Sequence, residues 1–248
     1  MRTDLLLSYF DLVPANSEPK LEKVFRLRHQ VYCEELGFEP QRASQLEHDE
    51  YDENSIHCLL FHRASQAYVG CIRLILADGN DPEAPFPFER AYGKSLRWSF
   101  DRSAGTGRER YGEISRLAIV ANFRGRRSEA SVASGSSRHP SAEDEDERHL
   151  FPSISLGLYL AITAMVLNQG LDGAFAMMEP RLARQLRRFG ILFEQVGEPV
   201  EHRGTRVPFC ISSNSIWNDL RPEWLALLGK IQGRLAVHRA QQPDLALA

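Results

Sequence analysis

Ile56-His57-Cys58-Leu59-Leu60-Phe61-His62, a short polar turn from Arg63 to Ala67, and Tyr68-Val69-Gly70-Cys71-Ile72-Arg73-Leu74-Ile75-Leu76 form the stretch that decides the fold. Both runs are enriched in Val, Ile, Leu and Cys, the composition of buried strands, and the turn between them is short enough for a hairpin. Working outward, Leu5 to Val13 alternates loosely and stops at Pro14, which predicts a strand upstream. Ser17 is placed to cap a helix whose first turn holds Glu18 and Pro19. Leu21, Val24, Phe25, Val31, Tyr32 and Leu36 fall close to a helical stripe, and Gly37 is a natural stop. A polar, acidic loop, Phe38 to Glu53, leads into the hairpin.

Downstream, Asp78 to Pro87 reads as a loop rich in Pro, Gly and Asp, and Glu113 to Val120 as a strand. Pro152 to Asn168 is an apolar helix ended by Gly170, Asp172 to Met178 a strand, and Arg181 to Phe189 a short basic helix. Phe193 to Ser212 holds two strands that turn near Arg203-Gly204. Pro222 to Val237 carries Trp224, Leu228, Ile231 and Leu235 at helical spacing, within a C-terminal helical extension over 214–240. Strands alternating with helices in this order predict an α/β protein, one mixed sheet with helices on its faces. One segment breaks the pattern. Arg126 to His149 opens basic, continues in Ser and Gly, ends in the acidic run Glu143 to Glu147, and has Val132 as its one large apolar residue. It cannot bury enough surface to offset its ordering entropy and reads as a disordered insertion within a single domain over 1–248.

Composition sets outer limits. The 248 residues are 43% hydrophobic and 25% charged with a net charge of -3, which fits a folded protein and argues against nucleic acid as a partner. Cys33, Cys58, Cys71 and Cys210 show no CxxC or CxH spacing, so four reduced core thiols are expected rather than a zinc site or a disulfide framework. The N-terminus lacks a signal-peptide h-region, and the longest nearly uncharged stretch, Ile154 to Leu167, is too short to span a bilayer. A cytoplasmic protein is expected.

Two places concentrate reactive residue types. Glu47, Asp49, Glu50, Asp52 and Glu53 crowd into seven positions. Glu113-Ile114-Ser115-Arg116 begins a strand, so Glu113 and Ser115 are expected on one face and Ile114 and Arg116 on the other. Taken alone, the acidic cluster also suits a solvated surface loop, and each strand charge a rim position. A calcium loop is excluded, since its glycine and terminal glutamate are missing; no metal site is expected.

Leu27-Arg28-His29-Gln30-Val31-Tyr32, Leu36-Gly37-Phe38 and Glu47-His48-Asp49-Glu50-Tyr51-Asp52 resemble the N-terminal signature of acyl-homoserine-lactone (autoinducer) synthases. Val69 to Leu74 resembles their G-x-x-R-L strand, Phe88 the phenylalanine after their proline-rich loop, and Glu113 to Arg116 their E-x-S-R strand. Phe25 to Glu39 is still more similar to a sister group, the acyltransferases associated with the PEP-CTERM/exosortase system, which are related to N-acyl amino acid synthases. Phe38, where autoinducer synthases carry tryptophan, agrees with the sister group. The resemblance implies a GNAT-like fold and transfer of a long-chain fatty acyl group from acyl carrier protein to the amine of an amino acid or related small molecule. It implies Glu113 as base, with Asp49 beside it in the reaction. Asp49 and Asp52 would hold the cationic amine, while Glu47, Arg28, Arg73 and Arg116 would pair to fix the acidic loop against the sheet. Phe88 and Ser115 complete the implied substrate site. Arg73 or Arg116 would serve an acceptor carboxylate.

The donor implied is an acyl-phosphopantetheine thioester, with no bound cofactor. Acetyl-CoA enzymes of this fold carry a [QR]-x-x-G-x-[GA] loop; in Asn122 to Arg127 only Gly125 fits, which favours carrier delivery over coenzyme A. Arg181, Arg184 and Arg188 share one helical face and, with Arg124 and Arg126, form a candidate dock for an acidic carrier protein, or else a solvated basic helix. Gly157, Ala161 and Ala164 either pack in a core helix or leave room for an acyl chain. The C-terminal helix suits a packed position or peripheral membrane contact. An autoinducer synthase using S-adenosylmethionine, and a non-catalytic carrier-binding module, are the alternative readings.

Overall fold

The predicted hairpin, buried along most of both strands, becomes the interior of a sheet. A computed structural model describes residues 3–81, 83–100, 103, 105–124, 142–202 and 204–240. Strands β1 (Phe10–Pro14), β2 (Ser55–His62), β3 (Ala67–Leu76), β4 (Tyr111–Ile119), β5 (Gly173–Met178), β6 (Glu194–Gln195), β7 (Val200–Glu201) and β8 (Thr205–Ser212) pair in the order β1-β2-β3-β4-β5-β8-β6, with β7 on β8. Every pairing is antiparallel except β4 with β5. A parallel pair needs a crossover, and helix α5 (Ala142–Asn168) supplies it.

Strand periodicity sorts side chains into two faces. On one face Ile72, Leu74, Ile114 and Ala174 pack under Leu158 and Ile162 of α5, joined by Trp224, Leu228 and Ile231 of α8 (Pro222–Ala240). The other face is divided. At one end Leu59, Cys71 and Ala118 meet Val24, Leu27 and Val31 of α2 (Glu18–Arg28) and the π-helical turn His29–Glu35 that continues it. At the other end Ile75, Tyr111 and Phe175 meet Phe86 and Phe88, around the short helix α3 (Pro87–Tyr92). Between these two apolar clusters, on the same face, His57, Arg73, Glu113 and Ser115 occupy the registers in between.

Several expectations change. The first strand is shorter than predicted, because Thr3–Tyr9 forms helix α1 and burial alternates only from Phe10. Leu6 of that helix is buried, and its Cδ2 lies 3.0 Å from where a Cβ on Gly157 would stand. With Ala161 and Ala164 also in the core, the small residues of α5 are used in packing, as in the core-helix reading. Helix α5 starts at Ala142, ten residues ahead of the Pro152 start that apolar periodicity predicts. Ala, Glu and Arg are strong helix formers, and acidic residues suit a helix start. The rest of the predicted insertion, 126–141, lies outside the described residues. Trp224, Leu228, Ile231 and Leu235 are all buried, so the stripe of α8 faces the core and not a membrane. Two short helices escaped the sequence reading, α3 and α4 (Ala121–Arg124), whereas α7 (Ser213–Asp219), capped by the Ser212 hydroxyl on Ser215 N–H, falls within the helical extension expected over 214–240 but for its first residue. Helices α4 (Ala121–Arg124) and α6 (Pro180–Arg187) follow β4 and β5 directly. All four cysteines are free and buried. No helix among the described residues is long and apolar enough to cross a membrane.

Candidate active site

The acidic loop is drawn onto the sheet by three guanidiniums. Arg28, at the end of α2, donates through Nε to Glu47 and through Nη1 to Asp52 Oδ1 at 2.6 Å. Arg73, on β3, donates Nη1 to Asp49 Oδ1 at 2.6 Å and to Asp52 Oδ1 at 2.7 Å, and Nε to Ser115 Oγ at 2.9 Å. Arg116 donates to Glu47 Oε1 and to Asp49 Oδ2, both at 3.1 Å. The loop also braces itself: Asp49 caps the 3-10 turn Glu50–Asn54, its side chain accepting from Tyr51 N–H while Asp52 reaches back to Asp49 N–H at 2.8 Å. Arg28, Glu47 and Arg73 are buried. Charges taken from water cost several kcal/mol each unless paired; here three cations meet three anions. Burial alone would raise the carboxyls of Glu47, Asp49 and Asp52, but the neighbouring guanidiniums reverse it and hold all three below the ordinary carboxylate range.

Arg116 reaches this network because β4 contains a bulge. Arg73 pairs with Ser115 and Cys71 with Ala118, so three steps along β4 match two along β3. The extra residue is absorbed with Arg116 at φ +49, in the left-handed region. This corrects the sequence expectation that Arg116 points away from Glu113 and Ser115: strict alternation fails at a bulge, and the side chain turns to the loop side. Tyr32 secures the spot. Its hydroxyl donates to Leu117 C=O at 2.7 Å, and its ring lies under the Arg116 guanidinium at 5.7 Å.

Glu113 stands apart from the ion pairs. It is buried and opposite Phe175 on β5 and Ile75 on β3. Its one hydrogen bond among the described residues is from Phe88 N–H to Oε2, at 3.0 Å. Burial pushes its carboxyl up to about 7, against the opposing pull of the Phe88 N–H and of Arg73 and Arg116. The Phe88 ring stacks on Phe175 at 4.7 Å, and Trp98, Phe100 and Tyr111 close around Phe175, so one wall beside the carboxyl is aromatic. His57, opposite Arg73, is buried with Nε2 3.6 Å from Asp52. Burial lowers it to about 4, so it is neutral at pH 7 and does not complete an ion pair.

The structure thus gathers Arg28, Glu47, Asp49, Asp52, Arg73, Ser115 and Arg116 into one network, with Glu113 and Phe88 beside it. Asp49 and Asp52, expected to hold a cationic amine, are each engaged by two guanidiniums. Arg73 and Arg116, expected to serve an acceptor carboxylate, are engaged in return. Arg124 pairs with Glu35 away from the network; Arg181, Arg184 and Arg188 are exposed on and beside α6; Arg126 lies outside the described residues. Sequence reasoning missed Tyr32, His57 and Glu39, which lies 3.7 Å from Arg116. His57 was within reach, because it sits two residues before Leu59 and so shares its face.

Residues 27–134 match the model of the Acetyltransferase (GNAT) domain family. No curated protein matches the chain. Among solved structures, a CoA-dependent acyl-homoserine lactone synthase, BjaI, with MTA is similar at 21% identity and TM-score 0.59, covering 91% of this chain and 89% of its own. TofI, in a ternary complex with an inhibitor and MTA, is similar at 18% identity and TM-score 0.58, covering 89% and 96%. FeeM, an N-acyl amino acid synthase from uncultured soil microbes, is similar at 14% identity and TM-score 0.54, covering 85% and 95%. With the matched stretch spanning the hairpin, β4 and the charge network, this chain is a single α/β domain with a GNAT-like fold.

Proposed function

We propose that the protein is an N-acyltransferase that moves a long-chain fatty acyl group from the phosphopantetheine thioester of an acyl carrier protein to the amine of an amino acid or related small molecule. The observation that carries this reading is Glu113, a buried carboxyl raised to about 7 beside a balanced charge network. A base poised near the working pH is what an amine losing its proton requires. The setting fits a thioester donor. The parallel pairing of β4 with β5 ends at Ile114 and Ala176, although both strands continue. Among the described residues the β5-facing edge of β4 has no strand partner beyond Ile114, which leaves backbone N–H groups for the oxyanion and room for a pantetheine arm.

In this reading the amine nitrogen attacks the thioester carbonyl. The C–N bond forms and the C–S bond breaks. The proton shed by nitrogen passes to Glu113, directly or through water, and then to the departing sulfur, giving an amide and a free thiol. Asp49 and Asp52 serve as frame, holding Arg73 and Arg116 against the sheet. The carrier protein docks on Arg181 and Arg184 of α6 and on Arg188 just beyond it; α6 starts at the end of β5 where the β4–β5 pairing has opened.

A second reading, lactone synthesis with S-adenosylmethionine, is favoured by the likeness to BjaI, a CoA-dependent acyl-homoserine lactone synthase. Mass spectrometry of lipid extracts from expressing cells separates the two. N-acyl amino acids absent from Glu113→Gln cells support the first reading; acyl-homoserine lactones support the second.

A further inference from the structure

If Arg73 and Arg116 are already bound, a carboxylate on the acceptor needs another cation. A cleft of about 230 Å³ lies between the 3-10 turn Glu50–Asn54, the end of β3 and the approach to α3. Its lining includes Tyr51, Ile75, Asp78, Phe86 and Arg90. Two of these lead to Glu113: Ile75 is its partner across the β3–β4 register, and Phe86 precedes by two residues the Phe88 N–H that binds it. The cleft is therefore one side-chain layer from the candidate base.

Arg90 is the one guanidinium in the lining. It lies over the Tyr51 ring, 5.4 Å from its centroid, which restrains it without consuming its donors. Its one acidic partner among the described residues is Glu50, at 2.8 Å, and both side chains are more than half exposed. Pairs of that kind contribute little and exchange readily. The buried guanidiniums behave oppositely: Arg28 and Arg73 are enclosed and each bound by two carboxylates.

We propose that this cleft receives the acceptor, that the acceptor is an amine bearing a carboxylate, and that Arg90 exchanges Glu50 for that carboxylate. The inference rests on the acyltransferase reading and deepens it. The test compares matched pairs, amino acids against their decarboxylated amines, in acylation from a palmitoyl acyl carrier protein. Wild type is expected to favour the carboxylate member. Arg90→Gln is expected to raise its KM roughly tenfold, the scale of a lost charge-assisted pair, with kcat and the KM of the plain amine unchanged. Glu50→Gln, which frees the guanidinium, is expected to lower that KM. Thermal shift with the same compounds and no acyl donor reads the cleft apart from turnover. Stabilisation by the amino acids that Arg90→Gln abolishes supports the proposal. Stabilisation that is equal in both proteins, or absent in wild type, overturns it, as does an unchanged KM in Arg90→Gln. Binding that depends on Arg90 without turnover counts against the acyltransferase reading alone.

Discussion

At the scale of the residue, Glu113 couples function to a cost in stability. Its carboxyl stands at about 7 in the fold against an ordinary 4.5, so between those values the folded protein holds a proton that the unfolded chain releases. Stability from this group is therefore full below about pH 4.5 and falls as pH rises to 7, by roughly 3 kcal/mol in all. Glu113→Gln, which keeps shape and hydrogen-bonding capacity without charge, should raise Tm at pH 8 while lowering kcat by 10² or more; calorimetry and acylation assays on one preparation check both. If Glu113 is the base, as proposed, wild-type kcat/KM should rise with pH through about 7 as it ionises. Much of this residue's setting was legible: period-two alternation put Glu113 and Ser115 on one face, where both are found. Arg116 was not, because a bulge changes the count by one and leaves no mark in composition.

At the scale of the element, the acidic loop and the bulge of β4 are held by buried charges whose worth lies in their pairing. Arg73→Met removes the guanidinium shared by Asp49 and Asp52 and leaves both less compensated, so urea unfolding should show a loss of roughly 3–5 kcal/mol. Tyr32→Phe keeps the ring under Arg116 but strips the Leu117 carbonyl of its donor. Its expected cost is roughly 1–2 kcal/mol, read in the same experiment. The loop illustrates a limit of sequence. Five carboxylates in seven positions look like a solvated face, and for Glu50 and Glu53 that is what they are; only the long-range partners of Glu47, Asp49 and Asp52, on α2, β3 and β4, make those three structural. Helix α1 shows the reverse error, where loose alternation imitated a strand but Leu6 packs on α5 instead.

At the scale of the molecule, the sheet puts the proposed base and the proposed carrier dock at one end. The β4–β5 pairing opens just past Glu113, and α6 with its exposed arginines starts at that end. Replacing Arg181, Arg184 and Arg188 together with Ala should raise the KM for acyl carrier protein and flatten its salt dependence, with kcat unchanged; steady-state kinetics at two ionic strengths test this. The order of strands and helices followed from apolar periodicity, and the network from separated motifs that only a sheet brings together. What stayed hidden was which arginines are spent and which are available, since that depends on contacts between distant segments. The account turns on Glu113 as the base for amine acylation. The most direct measurement incubates purified wild type and Glu113→Gln with a long-chain acyl carrier protein and a mixture of amino acids and amines, following amide formation against pH. The account predicts amide from wild type, with a rate that climbs through about pH 7, and at least a hundredfold less from Glu113→Gln. Carrier binding with no amide from wild type, or equal amide from both proteins, would contradict it.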